Sequence, residues 1–172
     1  YRRLVNRLFD QPRRRQLIAP THFGHSTAEE IKAEVPDFEN YFSFGFVRNP
    51  WDIIVSNYEY ARTEVTHPGH NEVIQLDFET FVRKRQRAYR QHRFLCDADG
   101  QVLVSFVGRF ERLRDDFEEI CNKLDLDIEL KHVFPGGHTH KPRDYRDYYT
   151  PELRDLVAAN QETDIKLFGY TF

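Results

Sequence analysis

Apolar and polar positions change rhythm several times along this chain, and each change marks an element. Ser43 to Val47 is a short apolar run that suits a buried strand. Arg48-Asn49-Pro50 interrupts it, and a helix-like stretch carrying Ser56 follows. Asn49 is a strong helix N-cap type, and Pro50 suits the first helical position, where its missing N–H costs nothing. The segment therefore predicts strand, tight turn and helix, with Arg48 at the turn.

Helical spacing recurs elsewhere. Leu4, Val5, Leu8 and Phe9 predict a short amphipathic helix over Tyr1–Phe9, and Gln16–Ala19 reads as a short strand. Ser26 to Glu29 has capping-box spacing, which predicts a helix from Thr27 to about Val35, ended by Pro36. Thr66–Gly69 is a turn-rich break, and Asp77 caps a helix reaching about Arg85. Arg93–Leu95 and Val102–Val107 read as extended pieces flanking a hairpin-like turn at Asp97-Ala98-Asp99-Gly100. Leu113, Phe117, Ile120 and Leu124 define one face of a long helix from about Phe110 to Leu124. A polar loop spans Pro135–Tyr145, and Thr150-Pro151 opens a last long helix running past Leu156 and Val157. Strands alternating with helices of these lengths predict an α/β layer with a mostly parallel sheet.

The chain of 172 residues suits one domain with a real core, and its 15% aromatic content argues against disorder. A net charge of −3 disfavours a general nucleic-acid binder. Charge is uneven, with basic stretches at Arg13–Arg15 and Arg83–Arg93 and an acidic one at Asp115–Glu119, which read as solvated helix faces. Cys96 and Cys121 are too few for a disulfide framework, so a reducing compartment is expected. No stretch has the roughly 20 apolar residues of a membrane span, and no signal-peptide pattern opens the chain.

The turn at Arg48 carries the clearest chemistry. A helix N-terminus offers unpaired N–H groups and a positive dipole end, and a guanidinium beside it adds a bidentate fork for an anion. Ser56, about two turns into the helix, adds a hydroxyl donor. The corner reads as a phosphate-binding site. The competing reading pairs Arg48 structurally with a carboxylate.

Arg48-Asn49-Pro50 followed by Ser56-Asn57-Tyr58 resembles the 3′-phosphate-binding segment of PAPS-dependent sulfotransferases. The resemblance continues in Phe94–Gly100, in Val107-Gly108-Arg109-Phe110-Glu111-Arg112-Leu113 with Asp116-Phe117, and in Lys141-Pro142-Arg143-Asp144-Tyr145 before the closing Leu167-Phe168-Gly169-Tyr170. It spans roughly residues 17 to 172 and is nearest the bacterial and Golgi-type carbohydrate branch. It implies a P-loop-kinase-like three-layer fold and transfer of a sulfuryl group from PAPS (3′-phosphoadenylyl sulfate). The acceptor is a hydroxyl on a carbohydrate or small molecule, and 3′,5′-diphosphoadenosine is the product.

The resemblance implies site roles as well. Arg48 and Ser56 would hold the donor 3′-phosphate, and Lys141 or Arg143 would contact donor phosphates as the loop before the final helix closes. His25 is the preferred base for the acceptor hydroxyl, because imidazole titrates near neutrality and His25 follows Gly24 as in the branch's H-G-H-like segment. His22 sits one position out of register and is next in line. Arg109 and Glu111 read as structural. Trp51 is placed either against adenine or, more in keeping with such aromatics, in the core.

The chain departs from the family pattern at its start. It begins at Tyr1, contains no methionine, and lacks the P-K-x-G-x-[ST]-[ST] loop that cradles the 5′-phosphosulfate. It is therefore expected to be part of a longer protein, with the first strand and phosphate loop missing. Cytoplasmic placement is expected for a bacterial-type member, and the Golgi lumen if an anchor lies upstream. The alternative is a non-catalytic sulfotransferase-like nucleotide-binding or interaction domain. A kinase acting on ATP is disfavoured, because ATP has no 3′-phosphate to occupy the corner. Three close histidine pairs lack zinc-site spacing, and a triad hydrolase lacks a G-x-S-x-G elbow, so no metal is assigned. Acceptor-facing stretches are expected at Arg62–Gln75 and Arg83–Arg93.

Overall fold

The computed structural model describes residues 25–85, 88–130 and 144–172. Helix α1 (Ala28–Glu34) opens them, and strand β1 (Phe44–Val47) follows a 3₁₀ turn at Phe38–Asn40. Helices α2 (Pro50–Thr63), α3 (His70–Val73), α4 (Phe78–Arg85) and α5 (His92–Leu95) come next. Strand β2 (Phe106–Arg109) leads through a 3₁₀ turn, Phe110–Arg112, into α6 (Leu113–Lys123). A 3₁₀ turn at Tyr145–Tyr148, then α7 (Pro151–Asn160) and α8 (Glu162–Phe168), complete them.

Among the described residues the sheet has two strands, β1 and β2, which pair in parallel with Val47 opposite Arg109. A small parallel sheet with helices on it is compatible with the α/β expectation. The predicted elements at Tyr1–Phe9 and Gln16–Ala19 lie outside the described residues, as does most of the Pro135–Tyr145 loop.

Helix α2 forms where its pattern predicts. Asn49 Oδ1 caps the N–H of Trp51 at 3.0 Å, and Pro50 takes the first helical position. Trp51, Ile54, Val55, Tyr58 and Ala61 recur at helical spacing and are all buried. All of these but Val55 form the main core with residues of α3, α4 and α7, including Phe81 and Val157. Full burial of Ile54 and Phe81, each 1% exposed, contributes about 1.5–3 kcal/mol apiece. Trp51 thus belongs to the core, donating its indole N–H to the Arg154 carbonyl at 3.0 Å. A second cluster of Val47, Leu95, Cys96, Phe168 and Tyr170 packs under the sheet.

Several expectations shift. The capping box uses Thr27 and Glu30, one residue later than Ser26 and Glu29. His92–Leu95 is a single helical turn where an extended piece was expected, because the buried carboxylate of Asp164 accepts the N–H groups of Gln91 and His92. The hairpin-like turn survives beside it as a Cys96–Val102 bridge. Strand β2 runs four residues later than the start expected at Val102. The last helix is two, broken at buried Gln161, whose side chain leaves to donate to the Ala88 carbonyl at 2.8 Å. Gly169 ends α8 in the left-handed conformation (φ 63°), which lets Tyr170 turn back into the core. Among the described residues no helix is long and apolar enough to cross a membrane.

Candidate functional site

The carboxyl end of β1 runs directly into Arg48, and in open parallel sheets ligands sit at that end of the strands. Arg48 Nε donates to Asp52 Oδ2 at 2.6 Å, and Nη1 donates to Ser56 Oγ at 2.9 Å. The guanidinium carbon lies 4.3 Å from the centre of the Phe110 ring. Nη2 takes no part in these bonds. Both expected anion ligands, Arg48 and Ser56, are therefore brought into one cluster. The carboxylate pairing held as a competing reading is present too, through Asp52. Because Ser56 Oγ accepts this bond, its own hydroxyl hydrogen is not spent on Arg48.

The backbone part of the expected corner is already occupied. Pro50 has no N–H, Asn49 Oδ1 takes those of Trp51 and Asp52, and the Ile53 N–H bonds the Asn49 carbonyl at 2.9 Å. Side chains, with the helix dipole behind them, are what the corner offers an anion.

Asn49 is the structural hub. Beyond its capping role, its Nδ2 donates to the Thr171 carbonyl at 2.9 Å and to Tyr145 Oη at 3.3 Å. Its backbone N–H donates to Glu111 Oε1 at 2.6 Å, and Glu111 Oε2 accepts from Tyr170 at 3.1 Å. Burial, reinforced by the Glu111 carboxylate, pushes the Tyr170 phenol well above its usual range. Arg109 donates its backbone N–H to Asp116 at 2.6 Å and its guanidinium to the Phe168 carbonyl. The Arg109 bond to Asp116 ties the sheet to α6, as the structural reading expected, whereas Glu111 ties the turn at Asn49 to Tyr170 instead. On the other side, Gln91 pairs with the Arg48 peptide, and Asp164 anchors Gln91 and His92.

The chain matches the model of the Sulfotransferase family over residues 12–171. It belongs to that family. Membership supports sulfotransfer activity in general terms. A relative in Archaeoglobus fulgidus, an uncharacterized protein, is 32% identical over an alignment of 97 residues that covers 54% of this chain and 75% of the relative. No solved structure matches the chain significantly.

Within this sulfotransferase-family chain, His25 is exposed and lies just ahead of Thr27, the cap of α1. Among the described residues no contact joins it to Arg48 or Ser56. His22, Lys141 and Arg143 lie outside the described residues. Sequence reasoning did not single out Asp52, Gln91, Phe110 or Asp164. Asp52 had a usable signal, since it stands four residues beyond Arg48 beside the same helix face. Gln91 and Asp164 carry no local signal, because their partners are distant in sequence.

Proposed function

We propose that this chain carries the donor corner of a PAPS-dependent sulfotransferase, acting on a hydroxyl of a carbohydrate or small-molecule acceptor. Arg48 and Ser56 hold the donor 3′-phosphate, with Lys141 or Arg143 contacting donor phosphates. His25 removes the acceptor proton, with His22 as the next choice. Attack of the acceptor oxygen on sulfur breaks the sulfur–oxygen bond to the nucleotide and leaves 3′,5′-diphosphoadenosine. Sulfuryl transfer of this kind relies on positioning and fixed charge, as phosphoryl transfer does.

One observation carries the reading: the 2.9 Å bond between Arg48 Nη1 and Ser56 Oγ, which joins the two expected anion ligands and, among the described residues, leaves Nη2 without a bond. The Arg48–Asp52 pair supports a second reading, a purely structural arginine in a non-catalytic relative. Calorimetric titration with 3′,5′-diphosphoadenosine against 5′-AMP separates the two. The donor-corner reading expects a clear preference for the 3′-phosphate that disappears in Arg48→Ala. Equal binding of the two nucleotides would reject it.

A further inference from the structure

The strand register has a consequence beyond the donor corner itself. Val47 lies opposite Arg109, so Arg48 and Phe110 leave two neighbouring parallel strands side by side. Phe110 is 45% exposed, yet the Arg48 guanidinium carbon lies over its ring, 4.3 Å from the centre. The residues on either side of it are tied down, Arg109 by its backbone and Glu111 by its side chain. Arg109 N–H is held by Asp116 at 2.6 Å, and the Glu111 carboxylate takes the Asn49 N–H at 2.6 Å.

The guanidinium is thus held at three points: over the Phe110 ring, by Asp52 at Nε and by Ser56 at Nη1. A free arginine loses side-chain freedom when it grips a ligand, whereas one stacked on a ring has lost it beforehand. A weakly hydrated planar cation also stacks on an aromatic face without a large loss of hydration.

We propose that Phe110 is a positioning residue for the donor 3′-phosphate. Its ring holds the Arg48 plane so that the remaining Nη edge and the Ser56 hydroxyl meet a tetrahedral oxyanion as one prepared fork. This inference rests on Arg48 and Ser56 being the 3′-phosphate ligands.

The test titrates wild type, Phe110→Leu, Phe110→Tyr, Arg48→Ala and the Arg48→Ala/Phe110→Leu double variant with 3′,5′-diphosphoadenosine and with 5′-AMP. Phe110→Leu is expected to loosen diphosphoadenosine about 2- to 30-fold, the range of a cation–π contact, and to leave 5′-AMP unchanged. Phe110→Tyr keeps a ring and restores wild-type affinity. In the Arg48→Ala background, Phe110→Leu adds nothing.

Wild-type affinity in Phe110→Leu, an equal loss for both nucleotides, or a full further loss in the double variant would overturn the inference while leaving the donor corner intact. If Arg48→Ala keeps the 3′-phosphate preference, or wild type has none, the donor-corner reading fails and Phe110 loses its role with it.

Discussion

Gln91 pairs with the peptide of Arg48 much as a neighbouring strand would. The Arg48 N–H donates to Gln91 Oε1 at 2.8 Å, and Gln91 Nε2 donates to the Arg48 carbonyl at 2.7 Å. Gln91 is in turn anchored by its own N–H, which donates at 2.6 Å to the fully buried Asp164. A turn on α2 is thereby tied to α8.

Gln91→Ala leaves two partly buried backbone groups without partners and should cost about 1–3 kcal/mol of stability. Gln91→Glu should cost at least as much, since it sets a carboxylate oxygen against the Arg48 carbonyl. Urea unfolding of both variants checks this. Wild-type midpoints would show that water replaces the amide without loss.

Arg48→Ala should weaken 3′,5′-diphosphoadenosine binding by about 1.5–3 kcal/mol, the worth of a charged hydrogen-bonding partner. Arg48→Lys should recover little, because an ammonium cannot hold Asp52, Ser56 and a phosphate with one planar fork. Ser56→Ala removes a neutral donor and should cost about 0.5–1.5 kcal/mol. Calorimetry on the three variants ranks them. Unchanged affinity in Arg48→Ala removes Arg48 from the site.

His25→Ala in the whole protein should lower turnover by about 10²–10⁴-fold while donor affinity stays near normal. Steady-state rates beside nucleotide titration measure the two separately. Near-normal turnover passes the role to His22.

Gly108 faces Phe46 across the sheet, and a Cβ there would come within 2.4 Å of the ring. The Phe46 ring is half-buried, and a stiff aromatic ring on a paired strand yields less readily than a flexible chain end. Gly108→Ala should cost about 1–3 kcal/mol, partly recovered by Phe46→Leu. A neutral Gly108→Ala would mean that the strands separate at little cost.

Alkaline pH should destabilise the fold. Burial is the first cause pushing the phenol pKa of Tyr149 and Tyr170 up, with Asp52 adding at Tyr149 and Glu111 at Tyr170. Burial likewise raises the thiols of Cys96 and Cys121. Groups raised in the folded state give full stability below their unfolded values and lose it as pH climbs towards the folded ones. The melting temperature should hold below about pH 8.5 and fall increasingly above about pH 10, where unfolded thiols and then phenols ionise. Tyr149→Phe should flatten the fall. A melting temperature constant to pH 11 contradicts this account.

The strand–turn–helix at Ser43–Thr63 was legible in the residues alone, because capping by Asn49, the place of Pro50 and the helical spacing of apolar positions are local effects. The meeting of Arg48 with Ser56 is local for the same reason, since one helix carries the serine back to the turn that precedes it. What surrounds that pair was decided elsewhere. Phe110 arrives through the register of two strands, Glu111 and Gln91 through bonds to residues 62 and 43 positions away, and Thr171 from 122 positions away. Distant packing also overrode local preference at His92–Leu95, where the Asp164 carboxylate closes a helical turn. Capping and periodicity act within a few residues, so a sequence displays them. Strand register and buried side-chain bonds depend on the whole chain's packing, so only the folded protein can settle them.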